Sequence, residues 1–154
     1  MTRINTIDPA YLTDKHLIAE YRELPRVFAL ITKWVRSGCK SPRPSQYTLG
    51  KGHVRFFYDK PSWLRARHRA LVNEMRARSF EVNHPETPPC AEGPDVGWEP
   101  DEFDRLRSYN RLCQREAVQD HRWCGEPVQR WYRSWRREIV FGPRGARKAA
   151  GGTP

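Results

Sequence analysis

The segment 14–38, DKHLIAEYRELPRVFALITKWVRSG, carries the strongest periodic pattern in the chain. Its apolar side chains recur at steps of three and four residues, which places them on one face of a helix. That face consists of Leu17, Tyr21, Leu24, Phe28, Ile31 and Val35. Thr13 or Asp14 can cap the start of the helix, and Gly38 can end it. Pro25 removes a backbone donor near the middle, so the pattern predicts one helix with a kink at this residue.

The opposite face of this predicted helix is basic. Its outer stripe consists of Lys15, Arg22, Arg26 and Lys33, and its flank carries His16, Glu20 and Glu23. Such a stripe is commonly a solvated surface, but it also suits a polyanionic partner. A carboxylate between two arginines, as at Glu23, is usually an ordinary ion-pair partner. The stripe alone therefore indicates a binding surface without identifying what binds.

Two further helices are predicted along the chain. One runs from Pro61 to about Arg78, and the other from about Pro100 to Gln119. Their predicted inward positions are Trp63, Leu64, Leu71, Val72, Met75, Phe103, Leu106, Tyr109 and Leu112 or Cys113. The exposed side of the first is predicted to be basic, with Arg65, Arg67, Arg69, Arg76 and Arg78.

The segments between these helices are rich in turn-forming residues. Residues 39–52 and 84–100 abound in Pro, Gly or Ser and are predicted to be loops. The basic tail 143–154 has no core-forming residues and is predicted to be disordered. The sequence therefore predicts an all-α protein, a single compact domain over residues 1–142 with three main helices joined by long irregular loops.

The charge of the chain is large and unevenly distributed. In 154 residues, 28 Lys and Arg face 18 Asp and Glu, which gives a net charge of +10. Residues 81–104 contain eight acidic and no basic side chains, so the basic excess lies on either side of them. A strong basic excess favours nucleic acid as the partner, although it does not say which nucleic acid or whether chemistry occurs.

Several classes of protein are disfavoured by the sequence. No run of 18 apolar residues could span a membrane, and the N-terminus lacks the apolar core of a secretory signal. The four cysteines, Cys39, Cys90, Cys113 and Cys124, are widely spaced without a CxxC pair, which argues against zinc and iron–sulfur sites. We therefore predict a cytoplasmic protein with free thiols and without a structural zinc site or an iron–sulfur cluster.

The N-terminus offers a candidate nucleophile. Thr2 follows the initiator Met1, which aminopeptidases remove before small residues, so the mature chain is expected to begin with a free α-amine on Thr2. The pKa of an α-amine is about 7.7–8.0, so it is partly unprotonated at neutral pH and can form an imine with an electrophilic carbon. Glu23 near such an amine could stabilise an oxocarbenium-like centre and move protons. Most termini of this type have no such use, so Thr2 alone decides nothing.

Three blocks of sequence carry a specific resemblance. They read MTRIN at 1–5, HLIAEYRELPRVF at 16–28 and LGKGHVRFFYDK at 49–60. In identity, order and the spacing from Thr2 to Glu23, these blocks resemble the pyrimidine-dimer DNA glycosylase/AP lyase family. Weaker similarity continues through 63–80 and reappears at RLCQR, 111–115, and at Trp131 and Tyr132.

The resemblance implies a bifunctional DNA repair enzyme that acts on double-stranded DNA containing cyclobutane pyrimidine dimers or abasic sites. It implies that the amine of Thr2 attacks the anomeric carbon, that Glu23 is the catalytic carboxylate, and that β-elimination from a Schiff base cleaves the strand. The DNA-binding residues that it implies are Arg3, Lys15, His16, Arg22, Arg26, Arg111 and Arg115. The implied enzyme needs no metal or cofactor, and we expect a monomer associated with the nucleoid.

The chain departs from the family pattern in several places. Lys15 stands where the family has an amide, and Arg115 where it has a lysine. The segment 81–104 is acidic where part of a DNA-binding loop is expected, and the stretch from Arg115 to Trp131 is longer. These departures leave open the same imine chemistry on oxidised purines or simple abasic sites. A non-catalytic DNA-binding module is the third alternative.

Some of the implied contact residues have an equally simple structural explanation. Arg111 and Arg115 could instead lie on a solvated helix face. Core packing is the favoured role for the aromatic residues Trp131, Tyr132 and Trp135, and His53 is predicted to be a structural histidine near the core.

Overall fold

The computed structural model describes residues 3–128 and 130–141, apart from the side chains of residues 130 and 131. Its elements, in chain order, are a 3-10 turn Pro9–Tyr11, α1 Asp14–Glu23, α2 Pro25–Arg36, α3 His53–Phe56, α4 Pro61–Ala77, α5 Glu102–Glu116, β1 Arg122–Trp123, β2 Glu126–Pro127 and α6 Arg130–Phe141. The described chain is mostly helical, which confirms the predicted fold class. The predicted disordered tail and Thr2 lie outside the described residues.

The predicted first helix is in fact two helices. α1 ends at Glu23 and α2 begins at Pro25, with a break of one residue at Leu24. The break arises because Pro25 has no N–H with which to continue the helical hydrogen bonds, whereas the N–H of Leu24 still donates to the Glu20 carbonyl at 2.9 Å. The predicted apolar face is nevertheless buried on both sides of the break, at Leu17, Tyr21, Leu24, Phe28 and Ile31.

The core lies between α1, α2 and α4. α4 ends within a residue of its predicted end, and its predicted inward residues Leu64, Leu71, Val72 and Met75 are buried. The prediction that Arg67 and Arg78 are exposed is wrong. Each side chain is buried because it pairs with a carboxylate on α1, Arg67 with Glu20 and Arg78 with Asp14.

α5 is shorter than predicted, and its N-terminal capping overturns one predicted core position. The side chain of Asp101 accepts the N–H of Asp104 at 2.8 Å, and the side chain of Asp104 accepts the N–H of Asp101 at 3.3 Å. This reciprocal cap turns Asp104 inward, and Ser108 and Leu112 follow on the same buried face. Phe103 therefore points away from the core and is 73% exposed, so its predicted inward position is wrong.

The acidic proline-rich segment is a loop, as predicted, and it is fastened along the outside of the helices. The N–H of Val96 donates to the Asp59 carbonyl at 2.8 Å. Trp98 packs edge-on against Trp63, with ring centroids 5.0 Å apart. The loop backbone thus follows the core surface while the carboxylates at 81, 86, 92, 95 and 99 stay exposed.

The chain after α5 forms a short antiparallel hairpin of β1 and β2, and then α6. Tyr132 on α6 is fully buried, and its hydroxyl donates to the Tyr11 carbonyl at 2.7 Å. Arg136, one turn further on, is also buried and pairs with Glu116. The prediction that Tyr132 packs in the core is confirmed, whereas the side chain of Trp131 lies outside the described part.

The four cysteines are free thiols, as predicted. Two of them accept hydrogen bonds from arginines: Cys90 from Arg65 at 3.2 Å, and Cys113 from Arg136 at 3.4 Å. Among the described residues, no helix is both long enough and apolar enough to cross a membrane.

Candidate active site

The backbone at the N-terminal end of the described chain is held to the core by hydrogen bonds. The N–H of Ile4 donates to Nε2 of His53 at 2.9 Å, and its carbonyl accepts from the Tyr47 hydroxyl at 2.9 Å. The N–H of Thr6 donates to the Ser108 hydroxyl at 3.1 Å. These bonds join the segment to three separate parts of the chain, so they fix the direction in which the N-terminus leaves the core.

A buried ion pair anchors the same segment to α1 and α4. The carboxylate of Glu20 accepts from the backbone and side-chain N–H groups of Asn5 at 3.1 and 2.7 Å. Its two oxygens also accept from Arg67 at 2.8 and 3.0 Å. Arg67 donates further to the carbonyl of Ile7. Each buried charge is therefore paired and hydrogen-bonded, which such groups require to be tolerated in a core.

His53 lies in the core, as predicted, and acts as a neutral bridge. Because Nε2 accepts from Ile4, the proton must be on Nδ1, which donates to the Thr48 carbonyl at 2.6 Å. Burial, assisted by the charge of Arg111, lowers the pKa of His53 below 6.5 although the bond to Thr48 opposes this shift. The N-terminal segment thus depends on an uncharged histidine.

A cavity of about 290 Å³ opens beside this segment, between α1 and α5. It is lined by Arg3, Asn5, Lys15, His16, Ala19, Glu20, Glu23, Arg111, Leu112, Arg115, Gln119 and His121. Because Glu20 is already neutralised by Arg67, the remaining charges of the lining are four cations and Glu23. The cavity is therefore suited to an anionic ligand.

Glu23 and Arg26 form an exposed pair at this site. Nη1 of Arg26 donates to Oε1 of Glu23 at 3.1 Å. The side chain of Arg26 is 69% exposed and that of Glu23 is 30% exposed. Exposed pairs contribute at most about 1 kcal/mol, so a ligand can draw Arg26 away from the carboxylate at little cost. This arrangement places one acidic group among the cations of the cavity.

The cations of the cavity are only partly engaged. Arg111 donates to the Leu49 carbonyl at 3.2 Å, which orients its guanidinium, and Lys15 reaches the Asp120 carbonyl at 3.4 Å. Nε of Arg3 is buried and has no acceptor among the described residues. A buried donor without an acceptor is unfavourable, so an oxygen-rich ligand would be bound more tightly here.

Two neighbouring histidines, with their rings tilted by 37° to one another, form another part of the lining. The ring centroids of His16 and His121 are 4.5 Å apart, and the hydroxyl of Thr13 lies within hydrogen-bond distance of both rings. Nδ1 of His16 is also 3.6 Å from Glu116, whose two oxygens accept from Arg136 at 2.7 and 2.9 Å. Within the described part of the chain, no group of three or more His, Cys, Asp or Glu side chains could hold a metal ion.

The structure brings most of the predicted site residues together. The cavity is lined by Arg3, Lys15, His16, Glu23, Arg111 and Arg115. Arg26 lies beside it through its contact with Glu23, whereas Arg22 is exposed and does not line it. Thr2 lies outside the described residues, directly before Arg3.

Six lining residues were not predicted as site residues: Asn5, Ala19, Glu20, Leu112, Gln119 and His121. Glu20 had a detectable signal, since it precedes Glu23 by one helical turn and therefore lies on the same side of α1. His121 had no detectable signal in the sequence, because only a tertiary contact places it beside α1.

Comparison with known families agrees with this geometry. The model of the family described as pyrimidine dimer DNA glycosylase matches residues 1–87, which is more than half of the chain. The chain belongs to this family. The resemblance read from the three sequence blocks is thereby confirmed, and membership makes the protein a DNA repair glycosylase.

The matched region of this pyrimidine dimer DNA glycosylase supplies only one side of the cavity. It contains the N-terminal segment and α1, together with Arg67 of α4. The other side, with Arg111, Arg115 and His121, comes from α5 and the residue before the hairpin, beyond the match.

The buried histidines make stability depend on pH. Burial lowers the pKa of His53, His68 and His121 below 6.5, in the case of His121 to about 4. The unfolded chain therefore binds more protons than the folded chain below pH 6.5, and the free energy of unfolding falls as the pH drops from 6.5 toward the folded pKa values. Each histidine contributes up to about 1.4 kcal/mol per pH unit to the slope of the free energy of unfolding against pH.

Urea unfolding at pH 7.5, 6.5 and 5.5 measures this dependence. The free energy of unfolding should change little between pH 7.5 and pH 6.5 and should fall clearly at pH 5.5. His84 is exposed and its charge helps to lower the pKa of His68, so the variant His84→Gln should weaken the dependence only through His68. Equal stability at pH 6.5 and 5.5 would show that these histidines are not held neutral.

Proposed function

We propose that this protein is a bifunctional DNA N-glycosylase and AP lyase that acts on cyclobutane pyrimidine dimers through an imine on the α-amine of Thr2. The observation that carries the proposal is the tethering of the N-terminal segment beside the cavity that holds Glu23. Arg3 lines that cavity, and covalent geometry keeps the α-carbon of Thr2 about 3.8 Å from that of Arg3. This tethering supports the proposal that the amine acts beside the carboxylate.

The proposed reaction proceeds in two stages. The amine of Thr2 attacks the anomeric carbon of the 5′ nucleotide of the dimer, and the glycosidic bond breaks with its electron pair leaving on the base. The nitrogen loses a proton and the sugar opens to an imine. A proton then leaves C2′ and the C3′–O bond breaks, so the strand is cleaved on the 3′ side of the sugar. Water hydrolyses the imine and restores the amine.

Glu23 has two proposed tasks in this sequence. Its negative charge stabilises the oxocarbenium-like centre and then the iminium, both of which are cationic. Its carboxylate also accepts and returns protons during ring opening and elimination. The position of Glu23 in the cavity lining supports these tasks, because the carboxylate lies beside cations that can hold the phosphates of the same DNA strand.

The cations around the cavity are proposed to hold the DNA backbone. Their roles follow from charge and position, since Arg3, Lys15, Arg111 and Arg115 line the cavity while Arg22 and Arg26 are exposed beside it. Turning a nucleotide out of the stack costs a few kcal/mol, and less at a damaged site. Contacts between arginines and phosphates offset that cost. The proposed partner is thus duplex DNA with dimers or abasic sites, bound by a monomer at the nucleoid in the cytoplasm.

Phosphate contacts predict a specific salt dependence. Arg111→Gln and Arg115→Gln should each reduce the slope of log K against log salt concentration by about 0.9 for one lost phosphate contact. Fluorescence anisotropy with a dimer-containing duplex at several salt concentrations gives this slope. The matched control is Arg69→Gln on α4, an exposed arginine that does not line the cavity. An unchanged slope in both cavity variants would remove these arginines from the DNA interface.

The activity is tested on a panel of duplexes that carry a cyclobutane dimer, an abasic site, an oxidised purine or no lesion. The proposal expects nicking and borohydride-trapped adducts with the first two substrates. Cleavage of the oxidised purine instead of the dimer would favour the alternative that the altered segment 81–104 motivates. Cleavage of abasic DNA alone would remove the glycosylase step. Binding without any adduct would indicate a non-catalytic DNA-binding module.

A further inference from the structure

His121 is held beside α1 by the short hairpin that follows it. Its carbonyl accepts the N–H of Val128 at 2.9 Å, which closes the hairpin. The carboxylate of Asp14 on α1 accepts the N–H groups of Cys124 and Gly125 at 3.0 and 2.8 Å, which fastens the hairpin turn to the helix. The imidazole of His121 is therefore fixed relative to the cavity by bonds on two sides.

A single hydroxyl joins this imidazole to that of His16. Oγ1 of Thr13 is 2.8 Å from Nδ1 of His121 and 3.0 Å from Nδ1 of His16. A hydroxyl has only one hydrogen, so it donates to one ring and must accept from the other. The proton arrangement of the two histidines is consequently coupled.

The surroundings of His121 decide the direction of this coupling. Its Nε2 is buried and has no hydrogen-bond partner among the described residues. A proton on that atom would be a buried donor without an acceptor, which is costly. Burial, together with the charge of His16, lowers the pKa of His121 to about 4, so the ring is neutral. Its one proton is therefore on Nδ1 and is donated to Thr13, which leaves the hydroxyl hydrogen for Nδ1 of His16.

We propose that His121 is a positioning residue for His16. Through Thr13 it fixes the tautomer in which Nε2 of His16 carries the proton and serves as a hydrogen-bond donor in the cavity. Glu116 acts in the opposite direction, because its carboxylate is 3.6 Å from Nδ1 of His16 and favours a proton there. Without His121 the proton of His16 should move to Nδ1. The catalytic consequence rests on the proposed function: the Nε2 donor would contact a phosphate or sugar oxygen of the DNA.

The tautomer can be observed directly by NMR on the full chain labelled with ¹⁵N-histidine, at pH 8. In the wild type, Nε2 of His16 and Nδ1 of His121 should carry the protons. His121→Phe retains an aromatic ring beside His16 but removes the donor, and Thr13→Val removes the bridging hydroxyl. Both should move the proton of His16 to Nδ1. Thr13→Ser and His121→Asn keep polar groups at these positions and should retain the wild-type tautomer, as should Glu126→Gln on the exposed hairpin.

Single-turnover cleavage provides the second readout. His121→Phe and Thr13→Val should slow the cleavage of dimer DNA about tenfold while the dissociation constant stays within about twofold. An unchanged His16 tautomer in both variants would overturn the inference even if the enzyme cleaves dimers normally. A wild type that cleaves nothing would instead overturn the proposed function, and the NMR result would still decide the tautomer. If His121→Phe does not fold, Thr13→Val decides alone.

Discussion

Glu23→Gln is expected to abolish strand cleavage at dimers while preserving the affinity for dimer-containing DNA. The amide is nearly isosteric with the carboxylate, so the cavity and its cations keep their shape. It cannot carry the negative charge that stabilises an oxocarbenium-like centre, and it cannot accept the transferred protons. The single-turnover rate should fall by at least about 10²-fold, the lower end of the range for general acid–base groups. Anisotropy measures binding in the same buffer.

The matched control for this variant is Glu138→Gln, which removes one negative charge from an exposed position on α6. The control should cleave at the wild-type rate. Wild-type cleavage by Glu23→Gln would refute the assigned role of the carboxylate. A loss of cleavage that only parallels a loss of affinity would place Glu23 in DNA binding instead of chemistry.

Arg67→Met is expected to destabilise the fold by about 3–5 kcal/mol, because it leaves the carboxylate of Glu20 buried without its counter-charge. The variant also removes the hydrogen bond from Arg67 to the Ile7 carbonyl, which helps to hold the N-terminal segment. Urea unfolding followed by circular dichroism measures the free energy of unfolding. The urea concentration at the midpoint of unfolding should fall, whereas the dependence of the free energy of unfolding on urea concentration should change little.

Arg69→Met provides the control, since Arg69 lies on the same helix two residues later and is exposed. Its effect should stay within about 0.5 kcal/mol. The double variant Glu20→Met with Arg67→Met should recover part of the loss, because no unpaired charge remains buried. A loss below about 1 kcal/mol in Arg67→Met would show that Glu20 finds another partner or is solvated.

Local periodicity explains why much of the fold was predictable. The apolar positions of 14–38 and of Pro61 to Arg78 recur with the helical period, and the structure buries all of the predicted ones except Val35 and Trp63, which are partly buried. The basic stripe on α1 was visible for the same reason, so several cavity residues could be named from the sequence. The sharpest departure within this region is the break at Leu24, where Pro25 starts a new helix instead of bending the old one.

Tertiary partners explain what the sequence did not reveal. Arg67 and Arg78 have the spacing of a solvated stripe, but carboxylates on α1 draw both of them into the interior. Phe103 has the spacing of a core residue, but the capping of α5 turns the opposite face inward. His121 is isolated in the sequence and reaches the cavity only because the hairpin binds to α1. Such contacts join residues far apart in the chain, where periodicity gives no signal.

The proposed imine on the α-amine of Thr2 can be captured by reducing the enzyme with borohydride on dimer-containing DNA. Peptide mass spectrometry then identifies the residue that carries the covalent adduct. The account predicts a chain that begins at Thr2 and carries the adduct on its α-nitrogen. An adduct on a lysine side chain, such as Lys15 in the same cavity, or the absence of any adduct during cleavage, would contradict it.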